Sequence, residues 1–150
     1  MSTDRIEKEI TLHAPRSRVW RAISDAEQFG AWFRVKLEGR FEPGARLAGQ
    51  ITYPGYEQLR LELQIERIEP EHYFSYRWHP NAVERGVDYS NEPTTLVEFR
   101  LADVPEGTKL TIVESGFDRL PLGRREPAIR GNAAGWAEQL TNIERHVAAR

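Results

Sequence analysis

The chain has 150 residues, of which 39% are hydrophobic and 29% are charged, and its formal net charge is −2. This length and composition predict one globular domain over residues 1–150, while the balanced charge argues against nucleic acid as a partner. Cysteine is absent, no apolar run reaches the ~18 residues needed to cross a bilayer, and no secretory signal pattern opens the chain, so we expect a cytoplasmic protein without disulfides.

The first elements are a strand and two short helices. Residues 5–13 alternate between apolar and polar side chains, which predicts a half-buried strand. Pro15 then suits the first turn of a helix, and apolar residues recur at helical spacing after it. Ser24-Asp-Ala-Glu27 and Asp25-Ala-Glu-Gln28 both read as capping boxes that start a second short helix, on which Trp32 and Phe33 lie.

The middle of the chain has the two-residue period of β-strands. Pro-Gly pairs and similar turn signals separate six candidate strands, at 35–41, 45–53, 59–68, 72–79, 94–102 and 108–115. Strands joined by such short connections pair antiparallel. The longest connection, 80–93, is polar, and we interpret it as an element on the rim of a pocket.

The last quarter of the chain predicts one helix. It is expected to begin after Gly131, with Asn132 as its N-cap. Its apolar residues recur at spacings of four, three and four, at Trp136, Leu140, Ile143 and Val147. One apolar stripe of this kind predicts a helix that packs against the sheet. Strands followed by a segregated helix indicate the α+β class.

Several motifs occur in a characteristic order: VWRAISDAEQFGAWF, FSYRW ending at Trp78, TTLVEF ending at Phe99, LTIVESGF ending at Phe117, and Gly135-Trp136. This order resembles the START-like (SRPBCC, Bet v 1-like) superfamily, and within it the branch of the activator of the heat shock protein 90 ATPase. The resemblance implies a helix-grip fold: a curved, seven-stranded antiparallel sheet wrapped around the long C-terminal helix, with two short helices after the first strand. It also implies a hydrophobic cavity between the sheet and that helix.

Most candidate ligand-binding residues are aromatic or apolar and are expected to face this cavity. They are Trp32, Phe33, Phe41, Tyr53, Leu63, Phe74, Tyr76, Trp78, Phe99, Ile112, Glu114, Phe117, Trp136, Leu140 and Ile143. Ligand pockets are mostly apolar with a few polar anchors, which fits this set. Core packing explains the same residue types, so both interpretations stay open.

Glu114 is the candidate polar anchor. The alternation that places Leu110 and Ile112 inside also places Glu114 inside, where its carboxylate is positioned to bind a ligand or act as a general acid or base. The alternatives are a bulge that turns the side chain outward and a salt bridge to a neighbouring arginine. The four histidines have no metal-ligand spacing, and no nucleophile elbow or phosphate loop is found, so neither a metal nor a cofactor is predicted.

The sequence is consistent with three alternative functions. The first is non-enzymatic binding of an apolar or amphipathic small molecule. The second, suggested by the resemblance, is a cavity enzyme of polyketide cyclase or aromatase type with Glu114 as its acid or base. The third is a co-chaperone-like interaction module with a role in the stress response. A protein partner or a weak homodimer stays open in each case.

Overall fold

A computed structural model describes residues 5–80 and 88–148; residues 81–87 of the expected rim element lie outside the described part. The strands are β1 (Arg5–Leu12), β2 (Val35–Glu38), β3 (Arg46–Ile51), β4 (Arg60–Glu69), β5 (Tyr73–Trp78), β6 (Thr95–Val104) and β7 (Gly107–Ser115). The helices are α1 (Arg16–Ser24), α2 (Ala26–Phe33) and α3 (Leu122–Ala148), with a 3-10 turn at Phe117–Arg119. Within the described residues, no helix is long and apolar enough to cross a bilayer.

The seven strands form one sheet in the order β1-β7-β6-β5-β4-β3-β2, and all neighbouring pairs are antiparallel. The two helices α1 and α2 carry the chain from one edge of the sheet to the other. From β2 the chain then returns strand by strand until β7 pairs with β1. Helix α3 contacts β1, α1 and α2. The architecture is the α+β helix-grip fold that the sequence predicted.

The two short helices are separated by the predicted cap. The Asp25 side chain accepts a hydrogen bond from the backbone N–H of Gln28 at 3.0 Å, which satisfies one of the free donors at the start of α2. Helix α2 ends at Phe33. The next residue, Arg34, caps it in the left-handed conformation (φ 70°), and β2 begins at the residue after that. The buried face of α2 carries Phe29 and Trp32 into the core.

The prediction that the last helix begins after Gly131 was wrong, because α3 begins at Leu122 and continues through Pro127. Proline and glycine normally disfavour a helix interior, but contacts from other elements stabilise this segment. The Arg124 side chain donates to the carbonyl oxygen of Pro80 at 2.8 Å and pairs with Glu92. Asn132 is consequently a mid-helix residue rather than a cap.

Aromatic rings fill much of the space between the sheet and the helices. Phe41 and Phe74 stack with ring centroids 5.1 Å apart, and Phe29 meets Phe41 edge-on at 5.5 Å. Phe99 lies 5.8 Å from both Phe74 and Trp136. Edge-to-face and offset contacts of this kind pack rings densely, so the interior around Phe41, Phe74 and Phe99 is a solid core.

Candidate functional site

Glu114 points inward, as the alternation of β7 predicted. It is completely buried, and it lies between Ile6 of β1 and Val97 of β6 in the sheet register. Strand β7 ends one residue later, and Gly116 follows with φ 101°, a conformation that L side chains rarely adopt. Neither a bulge nor an ion pair is found at Glu114 in the described residues, so its charge must be stabilised in another way.

Four neutral side chains donate hydrogen bonds to this carboxylate. Oε2 accepts from the indole Nε1 of Trp78 at 2.8 Å and from the hydroxyl of Thr95 at 2.5 Å. Oε1 accepts from the indole Nε1 of Trp136 at 2.9 Å, and Nδ2 of Asn132 lies 3.0 Å from both oxygens. An ionised carboxylate has about four acceptor positions, so these donors occupy all of them.

The donors come from three elements that meet at one end of the sheet. Trp78 is the last residue of β5 and pairs with Thr95, the first residue of β6. Asn132 and Trp136 lie one turn apart on α3, so both project from the same face of that helix. Glu114 therefore joins three neighbouring strands to α3 through its own side chain, and its hydrogen bonds fix the orientation of both indole rings.

A pocket opens above these rings. Its volume is about 90 Å³, and the residues that line it are Phe33, Trp78, Asn132, Gly135, Trp136 and Gln139. The two indoles stack with centroids 5.7 Å apart and planes inclined by 29°. A Cβ atom added at Gly135 would meet no atom within 4 Å, so the helix presents open space at that point. We call this site the tryptophan pocket.

The prediction of a large closed cavity was wrong for the described residues in this conformation. Ligand pockets for drug-sized molecules begin at roughly 300 Å³, whereas the tryptophan pocket measures about 90 Å³ and is open to solvent. This volume is below the roughly 150 Å³ of a dry cavity that holds benzene, so the open tryptophan pocket would enclose a single ring only in part. Packed rings such as Phe41, Phe74 and Phe99 occupy space between the sheet and the helices.

Apart from Tyr53, the predicted site residues separate into two groups. Phe33, Trp78 and Trp136 line the pocket, and Glu114 lies beneath it. Another group belongs to the core cluster and does not line the pocket: Trp32, Phe41, Leu63, Phe74, Tyr76, Phe99, Ile112, Phe117, Leu140 and Ile143. For these residues the core-packing interpretation describes this conformation.

Tyr53 does not face the interior, contrary to the prediction. Strand β3 ends at Ile51, so the alternation that would turn Tyr53 inward stops before it. Its hydroxyl donates to the Glu138 carboxylate at 2.5 Å, and the Arg34 guanidinium lies over its ring. The hydrogen bond to Glu138 and the charge of that carboxylate raise the pKa of Tyr53 above its ordinary value of 10.

Tyr76 is the one predicted polar residue of the interior with no partner among the described residues. Its hydroxyl is buried and makes no hydrogen bond, and the side chain is completely buried. Burial, with a contribution from the charge of Glu114, raises the pKa of Tyr76 well above 10, so the hydroxyl is neutral at physiological pH. Its ring meets that of Trp78, which lines the pocket, edge-on at 5.3 Å.

Four residues of the site were not predicted from the sequence: Thr95, Asn132, Gly135 and Gln139. The signal for three of them is the spacing on α3, because positions 132, 135, 136 and 139 recur every three or four residues around Trp136. Interpreting Asn132 as a cap concealed this face. Within the described residues, no group of three or more His, Cys, Asp or Glu side chains is arranged to hold a metal ion.

A sheet that grips a long C-terminal helix, with two short helices after its first strand, defines a helix-grip protein. Solved structures share this fold over nearly the whole chain. A protein from Arthrobacter aurescens is 18% identical, with a TM-score of 0.79 and coverage of 99% of this chain and 88% of its own. Protein MLL2253 from Mesorhizobium loti is 21% identical, with a TM-score of 0.76 and 97% coverage of both chains.

DynU16, a putative protein in the dynemicin biosynthetic locus, is 23% identical with a TM-score of 0.74, covering 97% of this chain and 47% of its own. At such identities the likeness concerns the fold alone. Residues 13–148 match the sequence profile of the family described as Activator of Hsp90 ATPase homolog 1-like protein. The chain therefore belongs to that family. No curated protein matches the sequence.

Proposed function

We propose that this protein binds an apolar or amphipathic small molecule in the tryptophan pocket and does not transform it chemically. The observation that carries the proposal is the stacked pair Trp78 and Trp136, whose N–H groups are both held by one buried carboxylate. Rings fixed in this way lose little further freedom when a ligand packs on them, and such preorganisation favours affinity. Gly135 leaves the adjoining wall open.

Binding is favoured over catalysis by the state of Glu114, the candidate acid or base, and of Tyr76, whose hydroxyl is also buried. A general base must be within hydrogen-bond reach of the proton that it removes. The acceptor positions of Glu114 are occupied by the side chains of Trp78, Thr95, Asn132 and Trp136. Tyr76 is held in its neutral form by burial and by the nearby negative charge. Neither group is poised to accept a proton in this conformation.

The family name offers a second candidate, a protein partner of the co-chaperone kind. Protein docking surfaces usually expose a contiguous group of large apolar side chains. Among the described residues, the exposed large hydrophobic side chains are Tyr56 and Leu122, which are 47% and 79% exposed. Two such residues, one on the β3–β4 connection and the other at the start of α3, favour the small-molecule proposal over a hydrophobic docking surface.

The experiment fills the pocket without disturbing the core. Toluene, a small probe with a single apolar ring, is titrated into the wild-type protein while NMR follows the indole N–H signals. We expect the signals of Trp78 and Trp136 to shift and that of Trp32, whose N–H bonds the carbonyl of Ala22, to shift less. Toluene that leaves all of these signals unchanged would contradict the proposal.

A pair of glycine variants provides the matched control. Gly135→Leu puts a side chain into the pocket, whereas Gly123→Leu adds the same side chain to α3 at another position where a Cβ also meets nothing within 4 Å. We expect Gly135→Leu to weaken toluene binding at least tenfold and Gly123→Leu to leave it unchanged. Equal affinities in the two variants would place the binding elsewhere.

A further inference from the structure

The buried hydroxyl of Tyr76 has no function in the packing of this conformation. A hydroxyl removed from water without a hydrogen bond destabilises the folded protein, and buried polar atoms are nearly always paired. The ring alone accounts for the contacts of Tyr76 with Phe74, Trp78 and Phe99. The oxygen therefore requires a partner that the described residues do not supply.

The position of this hydroxyl relates it to the tryptophan pocket. Tyr76 and Trp78 lie on the same face of β5, and their rings touch. Trp78 is half-buried and lines the pocket, so the Tyr76 ring contacts a wall of the pocket without lining it. The hydrogen bond from its Nε1 to Glu114 holds the indole over Tyr76. To reach the hydroxyl, a guest would have to turn this side chain aside and break its hydrogen bond to Glu114.

The local charge indicates which ligands suit this position. Glu114 lies close enough for its carboxylate to act electrostatically on Tyr76, and its donors are all neutral. The negative charge of Glu114 disfavours an anionic group beside the Tyr76 oxygen, so an uncharged O–H or N–H donor suits this position better. The hydroxyl oxygen has two lone pairs with which to accept such a bond.

We propose that Tyr76 is the polar contact of a ligand subsite one ring layer beneath the tryptophan pocket, and that the ligand is an uncharged ring compound with a hydroxyl or N–H group. This inference rests on the proposed function, since it needs a ligand in the pocket. It adds a class of ligand: phenols and related neutral donors are bound, and carboxylates of the same size are not.

Three one-ring probes test the proposal: phenol, toluene and benzoate. They share one ring and differ in the substituent, which is a neutral donor, an apolar group and an anion respectively. In the wild-type protein we expect phenol to bind about five- to tenfold more tightly than toluene, which is the value of one buried hydrogen bond. We expect no saturable binding of benzoate. Benzoate affinity equal to that of phenol would overturn the assignment of ligand class.

The decisive variant is Tyr76→Phe, which removes only the oxygen. We expect it to keep toluene binding and to abolish the preference for phenol. Tyr73→Phe is the control, because it removes a hydroxyl from the same strand at a residue whose oxygen donates to Glu98. It should retain the phenol preference.

The two proposals fail in different ways. If toluene binds and Tyr76→Phe leaves the ratio of phenol to toluene affinity unchanged, the Tyr76 subsite is wrong and the tryptophan pocket stands. The same result is expected if the partner of the hydroxyl is only an internal water. If neither toluene nor phenol binds the wild-type protein, the proposed function fails, and the subsite fails with it.

Discussion

The aromatic interior has two ends that are held together differently. At the closed end, Phe29, Phe41 and Phe74 contact one another through their rings alone. At the open end, Trp78 and Trp136 also stack, but each indole is fixed by a hydrogen bond to Glu114. The closed end has the character of a hydrophobic core, whereas the open end combines rings, a buried charge and a pocket.

This difference shows where to look for function when a fold is filled with aromatic residues. Apolar packing needs no hydrogen bonds, because burial of ring area stabilises it directly. A buried carboxylate, in contrast, is costly unless every acceptor position is satisfied. Four side chains satisfy Glu114, and three of them, Trp78, Asn132 and Trp136, line the pocket. The polar network therefore distinguishes the site from the surrounding core.

The largest expected effect contrasts two stacked residues of α2, one at each end. Phe29 is completely buried, whereas Phe33 is half-buried and lines the pocket; their centroids are 5.0 Å apart. We expect Phe29→Ala to lower the free energy of unfolding by about 3–5 kcal/mol and Phe33→Ala by about 1–2 kcal/mol. Urea denaturation measures both values.

Toluene binding then separates the two ends. Phe33→Ala should weaken it, because the variant removes a wall of the pocket, whereas Phe29→Leu, a milder variant of the core residue, should leave it unchanged. Equal destabilisation by the two alanine variants, or equal loss of binding in Phe33→Ala and Phe29→Leu, would remove the distinction between the ends.

The second prediction concerns Glu114. In Glu114→Gln one acceptor oxygen becomes an amide group that faces the donors of Trp78, Thr95 and Trp136, so some buried N–H and O–H groups lose their partner. We expect a loss of about 2–4 kcal/mol in the free energy of unfolding. The control is Glu98→Gln, at a half-buried carboxylate that accepts from the Tyr73 hydroxyl at 2.5 Å.

For Glu98→Gln we expect a loss of about 0.5–1.5 kcal/mol, since water reaches the outer face of the sheet. Denaturation of the two variants under the same conditions gives the comparison. NMR should show the indole N–H signals of Trp78 and Trp136 displaced only in Glu114→Gln. If both variants lose the same stability, the hydrogen bonds to Glu114 do not join the sheet to α3 as the geometry indicates.

The fold was predictable because its signals are local. Alternation along β7 placed Glu114 inside, and Asp25, one of the two predicted caps, begins the second short helix, as the structure confirms. The start of α3 was not predictable from local signals, because Pro127 reads as a helix breaker. The helical conformation of this segment depends on contacts with residues far away in the sequence, such as that of Arg124 with Glu92.

The site was predictable in part. Phe33, Trp78 and Trp136 were found because large rings with strand or helix periodicity point to the interior. The donors Thr95 and Asn132 were missed because threonine and asparagine occur at many surface positions, and only the three-dimensional pairing with a buried carboxylate gives them a role. Sequence patterns also carry no measure of the distance between sheet and helix, so the small volume of the pocket could not be predicted.

The smallest expected effect separates two tyrosines of β5. At pH 7, Tyr73→Phe removes the hydrogen bond to Glu98 and should cost about 1–2 kcal/mol, whereas Tyr76→Phe removes an unpaired hydroxyl and should cost nothing measurable or stabilise the protein.

Burial raises the pKa of Tyr76 well above 10 in the folded protein, while the unfolded chain ionises near 10. The stabilisation linked to this difference is therefore fully present below pH 10 and is lost as the pH rises towards the folded pKa.

Between pH 10 and pH 11 this loss amounts to about 1 kcal/mol for Tyr76 in the wild-type protein, and Tyr76→Phe should be spared that share. Urea denaturation of both proteins at the two pH values measures it. Tyr73, whose pKa is also raised by burial and by its bond to Glu98, contributes to the alkaline loss in both proteins and cancels in the comparison. An equal loss of stability in wild type and Tyr76→Phe would mean that the Tyr76 hydroxyl ionises as readily in the folded protein as in the unfolded chain and therefore reaches solvent, and the polar subsite beneath the pocket would have to be abandoned.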